Sequence, residues 1–178
     1  NAFAHPVAQF HVALETALQT FGIAGQLARD AGGLLRAGAG FGPTMAFLFT
    51  SPLVNPVKRY LHFERAFLDG ELDPVFKDLR TWDLRFVVNG DETDEALTWG
   101  REMLRNYRPD HVLTDDFKWR YAGSVRSDIS YGSQYNKYDK PELQFFQNIL
   151  MNGGVCGRRA FCGRFILRAF GIPTTARP

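Results

Sequence analysis

The sequence holds two cysteines and four histidines, and one cysteine stands where a thiol can do chemistry. Cys156 follows Asn152-Gly153-Gly154-Val155 and precedes Gly157-Arg158-Arg159-Ala160. A helical run continues to Phe170 and gives way to Gly171-Ile172-Pro173-Thr174. Adjacent glycines permit backbone that a side chain forbids, including φ > 0. A cysteine in the first turn of a helix meets free N–H groups and the positive end of the helix dipole, which favour the thiolate. Its own N–H is then placed to help hold an oxyanion. The chemistry indicated is nucleophilic attack on an acyl carbon. That chemistry needs a general base within hydrogen-bond reach, most often a histidine. His5, His11, His62 and His111 all precede Cys156. Arg158 and Arg159 flank the thiol and either favour the thiolate or, as expected at a helix start, are surface charges.

The helix that carries Cys156 is bounded by its composition. Phe161, Arg164, Phe165 and Arg168 recur at threes and fours, with Ala160, Leu167 and Phe170 around them. Gly171 followed by Pro173 is the usual order for a helix end. Cys162 falls about 240° around this helix from Cys156, at roughly 100° per residue, and is expected as a core thiol. The two cysteines lie about 9 Å apart along the axis, too far for a disulfide. With no nearby His they also make a poor zinc site. Free thiols agree with a reducing setting.

These residues resemble the transglutaminase-like superfamily of papain-like thiol enzymes. The resemblance rests on Gly154-Val155-Cys156, on Ala160, and on Leu167-Arg168-Ala169-Phe170-Gly171-Ile172-Pro173, and it covers about residues 141–175. It implies an α+β fold: a helix-rich N-terminal part followed by the nucleophile-helix half of a transglutaminase-like (papain-like) core, truncated before the β-sheet is complete. It also implies Cys156 as the catalytic residue of a cysteine peptidase or acyltransferase acting on amide bonds of a protein or peptide, with no cofactor and no metal ion. In that family a His and then an Asp follow the cysteine helix on strands. Here the sequence reaches Pro178 without either. Two organisations follow as expectations. One is a piece of a longer protein, in keeping with Asn1 at the start; the other is a catalytically silent interaction subunit of a larger assembly.

Bulk composition narrows the class. A chain of 178 residues with 45% hydrophobic residues and 16 Phe is a folded globule rather than a disordered segment. A net charge of +2 without a dense Lys/Arg block excludes a nucleic-acid partner as the leading reading. No signal peptide is visible. Thr44–Phe49 is apolar but much shorter than the roughly 20 residues that span a bilayer, and no transmembrane helix is expected.

Two regions are expected, 1–43 and 44–178. Phe3, Val7, Phe10, Leu14, Ala17 and Phe21 form one apolar seam in an N-terminal helix over 3–30. The seam packs within its own domain, or docks on a partner chain or a membrane surface. Glycines from Gly32 to Gly42 make a hinge without a phosphate-binding signature. Residues 55–69 read as an amphipathic helix with Val57, Tyr60, Leu61, Phe67 and Leu68 inward. Asp73-Pro74 caps a further helix, while Trp82–Val88 is readable as helix or strand. Thr93-Asp94-Glu95 opens a helix that carries Leu97, Met103 and Leu104 and ends before Pro109. His111 and His62 are a loop histidine and a helix histidine, and a base or metal-ligand role for His111 among its acids stays open. Aromatic residues from Phe117 to Tyr138 are packing around a loop or a stacking surface for a sugar or base. Val125–Gly132 is expected extended, and Lys140-Pro141-Glu142-Leu143 is expected to open a short helix through Phe146 and Leu150.

Overall fold

Capping residues set where the helices begin. The structure is a computed structural model and describes residues 53–115, 120–133 and 136–175. These residues belong to the second of two compact units, Gly42–Pro178. The expected helix over 3–30, the glycine hinge, His5, His11, Phe117, Trp119 and Tyr135 lie outside the described residues. The helices are α1 (Pro56–Leu68), α2 (Thr81–Val88), α3 (Asp94–Tyr107), α4 (Pro109–Leu113), α5 (Ser124–Ser127), α6 (Phe145–Asn152) and α7 (Cys156–Ala169), with a 3₁₀ turn at Pro74–Asp78 between α1 and α2.

The Thr93 hydroxyl accepts from the Ala96 N–H at 3.1 Å, and Asp94 and Glu95 occupy the first turn of α3. Asp73 caps as expected, its carboxylate accepting from the Val75 N–H at 2.9 Å with Pro74 behind it. The element it opens is only a 3₁₀ turn, because Leu79 is already extended. Trp82–Val88 is helical and ends at Asn89. Two further expectations about the helices need correction. The short helix starts at Phe145, not near Lys140, because Gln144 and Gln147 form a reciprocal capping box. Val125–Ser127 is a turn of helix, closed by the Asp128 N–H on the Ser124 carbonyl at 2.8 Å; extended pairing is confined to the parallel bridge between Tyr131 and Gly154.

Among the described residues the architecture is helical, without a strand. The sheet that an α+β fold requires is not among them. α7 is the central element and packs on α2, α3, α5 and α6. Phe165 is fully buried, stacks on Phe146 with ring centroids 3.7 Å apart, and lies 6.2 Å from Trp99. Gly100 allows this seat: a Cβ there would stand 2.9 Å from the Phe165 ring. Phe170 stacks on Tyr121 at 4.1 Å, and Leu84, Val87, Val88, Leu97, Leu104 and Phe63 are among the other buried core residues. Leu68, expected inward, is exposed because α1 ends on it and the chain turns at Gly70 with φ 69°. No helix of the described residues is long and apolar enough to cross a membrane.

Arg59, Arg101 and Arg168 are buried with oxygen partners. Arg59 bonds Asp94 at 2.5 Å and the carbonyls of Val88, Gly90 and Glu92. Arg101 bonds Glu71 at 2.7 Å and the Ala169 carbonyl at 2.9 Å. Arg168 meets Glu92 at 3.3 Å and the Phe86 carbonyl at 3.1 Å. His62 lies against Arg101, its Nε2 3.2 Å from the guanidinium, so that nitrogen accepts and the ring is neutral. Burial first, then the charge of Arg101, brings its pKa down to about 4; Asp94 and Glu71 act against this, and Arg59 acts with it. The unfolded chain, with His near 6.5, therefore binds the extra proton first as pH falls. Stability is complete above about pH 6.5 and declines toward pH 4, by on the order of 2 kcal/mol from this group. Urea unfolding at pH 7 and pH 5 should show the loss, and His62→Gln should reduce it. An unchanged pH dependence in the variant would exclude His62 as its source.

Candidate thiol site at the start of α7

The thiol is presented by a turn that requires glycine twice. Gly153 ends α6 with φ 76°, and a Cβ there would stand 2.3 Å from the Ser130 carbonyl oxygen. Gly154 donates its N–H to that same oxygen at 3.0 Å, and its carbonyl accepts from Gly132 at 3.3 Å. A Cβ on Gly154 would meet the Arg158 side chain at 2.5 Å. The bridge thus ties the turn to the Ser130–Gly132 segment before α7 begins. Cys156 then opens α7, exposed and free, with Val155 as N-cap and no side chain capping the helix. The first-turn N–H groups are left for solvent or a ligand. Cys162 is buried, and burial pushes its thiol up to about 12, as expected of a core cysteine.

Arg158 is not a surface charge, and Arg159 is half-buried. Arg158 is buried and grips Asp139 through two bonds of 2.7 and 3.0 Å. Arg158 holds the Asp139 carboxyl below the usual carboxylate range, with help from the Asn152 amide at 3.0 Å. Arg159 donates to the Val125 carbonyl at 2.5 and 3.1 Å. The start of α7 is therefore fastened on one side to the 136–144 loop and on the other to α5. That loop is itself fixed to α6. Asn148 holds Lys140 in both directions, at 2.9 and 3.0 Å, and Asn136 donates to the Asn152 carbonyl at 2.8 Å. Asp139 and these asparagines were not legible as site residues. Asn148 and Asn152, four apart on the helix that leads into the glycine turn, were the available signal.

A cleft of about 670 Å³ lies beside the thiol turn, lined by Asn136, Lys137, Asp139, Phe145, Arg158 and Phe161 together with Gly157. Phe145 and Phe161 are half-exposed and meet edge to face at 6.0 Å. No histidine among the described residues bonds Cys156. His62 is held by Arg101, and His111, in α4, faces the Ser127 hydroxyl at 3.4 Å. Among the described residues no group of three or more His, Cys, Asp or Glu is arranged to hold a metal ion. Of the aromatic stretch, Tyr121 is buried and bonds Asp73 at 2.8 Å, while Tyr131 and Tyr138 are exposed.

The chain matches no family model and no curated protein, and its structure matches no solved structure.

Two glycines of the site should respond in opposite directions. Gly153→Ala is strained in conformation and collides with Ser130, and should cost on the order of 2 kcal/mol or more. Gly157→Ala meets nothing within 4 Å, lies in a helix, and should be neutral or stabilising by up to about 1 kcal/mol. Denaturant unfolding of the two variants checks this; equal effects would contradict the geometry of the turn.

Proposed function

We propose that this chain carries the nucleophile-bearing part of a transglutaminase-like thiol protein, a cysteine peptidase or acyltransferase, with Cys156 the attacking group. The observation that carries the reading is an exposed thiol in the uncapped first turn of a 14-residue helix, delivered by a glycine turn locked to Ser130. The Cys156 sulfur adds to the carbonyl carbon of a carboxamide or peptide bond, and the helix-start N–H groups face the oxygen as it gains charge. Collapse breaks the C–N bond. The nitrogen leaves as ammonia or an amine after taking a proton, and a thioester on Cys156 remains for water or a second amine. The proton carrier and its orienting acid are assigned by resemblance to a His and an Asp on strands after the helix. None of the four histidines of this sequence holds that position.

A second reading, a catalytically silent subunit of a larger assembly, is favoured by the exposed Phe145–Phe161 pair beside the same helix start. Alkylation separates the two. With the native protein and iodoacetamide, a thiol nucleophile should react at Cys156 about tenfold faster than glutathione at the same pH, with Cys162 inert and Cys156→Ala silent. Peptide mapping by mass locates the label. Reaction at Cys156 no faster than glutathione would overturn the nucleophile reading and leave the interaction subunit.

A further inference from the structure

A cavity of about 330 Å³ opens where the α2–α3 connection faces α7. Phe146 and Phe161 supply its apolar wall, and Arg164 and Arg168 supply its cations. The two arginines differ. Arg168 is satisfied by Glu92, by Asn89 at 2.9 Å and by the Phe86 carbonyl. Gly90 leaves room for that pair: a Cβ there would stand 1.7 Å from the Glu92 carboxylate and 2.6 Å from Arg168. Arg164, by contrast, makes no hydrogen bond or ion pair with any described residue, and its Nε is buried without a partner. Its guanidinium is stacked over Phe161 at 4.3 Å. The remaining acid of the cavity, Asp91, is solvent-exposed.

The Nε of Arg85 and of Arg158 is buried without an acceptor as well, but those side chains have other partners, whereas the planar fork of Arg164 is left to match a carboxylate in two parallel bonds. An apolar wall beside it selects what the carboxylate is attached to. We propose that this cavity binds a carboxylate carried on an apolar body, the carboxylate taken by Arg164 and the body laid against Phe161. The cavity size suits a small aryl or branched acid, or the C-terminus of a peptide that ends in an apolar residue. The site does not depend on the reactivity of Cys156.

Titration calorimetry of the native chain tests it with phenylacetate and with N-acetyl-Ala-Phe, each against its neutral amide. Saturable one-to-one binding of at least one acid is expected, with its amide at least about tenfold weaker. Arg164→Met should weaken the acid about tenfold or more, Phe161→Ala several-fold, and Cys156→Ser not at all. The amide control is read on the unmodified protein, so the result does not hang on a variant's folding. Stronger binding of the dipeptide would assign the site to a peptide terminus, and stronger binding of phenylacetate to a free acid. The proposal is overturned if neither acid binds, if the amides bind equally, or if folded Arg164→Met binds as the native chain does.

Discussion

The close approach of α7 to α3 is the constraint on which the described structure depends. Phe165 reaches its fully buried seat only because Gly100 has no side chain. Stacked on Phe146, it brings α6 and α3 onto one helix. Everything at the thiol end follows from that axis. α6 delivers the chain to Gly153, the turn pairs with Ser130, and Cys156 emerges at the helix start. A larger residue at position 100 would lift α7 from its support and disturb the turn with it.

Around this apolar contact the elements are fastened by arginines, and the choice of acceptors explains why burial is tolerated. An unpaired buried cation is costly. Here the guanidinium groups reach carbonyls that helices leave unsatisfied at their C-terminal ends. Arg168 takes Phe86, Arg59 takes Val88 and Arg101 takes Ala169. Those ends also carry the negative pole of the helix dipole. Each arginine adds a carboxylate: Glu92, Asp94 or Glu71. The result joins segments far apart in sequence without a sheet among the described residues.

The same logic distinguishes the two functional proposals. Cys156 is exposed, uncapped and positioned from both sides by Arg158 and Arg159, as a group held for use would be. Arg164 is a cation left without the oxygen partner that Arg59, Arg101, Arg158 and Arg168 each have. The two proposals, a nucleophile at Cys156 and an anion receptor at Arg164, concern positions along one helix on either side of Phe161, which lines both the cleft beside the thiol and the Arg164 cavity.

Local chemistry was legible without coordinates. Thr93 and Asp73 announced their caps, Gly171 its helix end with φ 77°, and the glycine pair its turn, because each acts on backbone within a few residues. The buried Cys162 followed from its angle around the helix to Cys156. Tertiary contacts decided the rest. Trp82–Val88 became helix where propensity was balanced, and Val125–Ser127 folded into a turn whose hydrogen bonds an extended reading would forgo. Arg158 and Arg159 resembled solvated charges because their acceptors, Asp139 and the Val125 carbonyl, are set beside them only when the loop and α5 close on α7. Sequence by itself determined where the thiol sits on its helix. Packing alone decided which cations are paired, since a charge finds its partner through space and not along the chain.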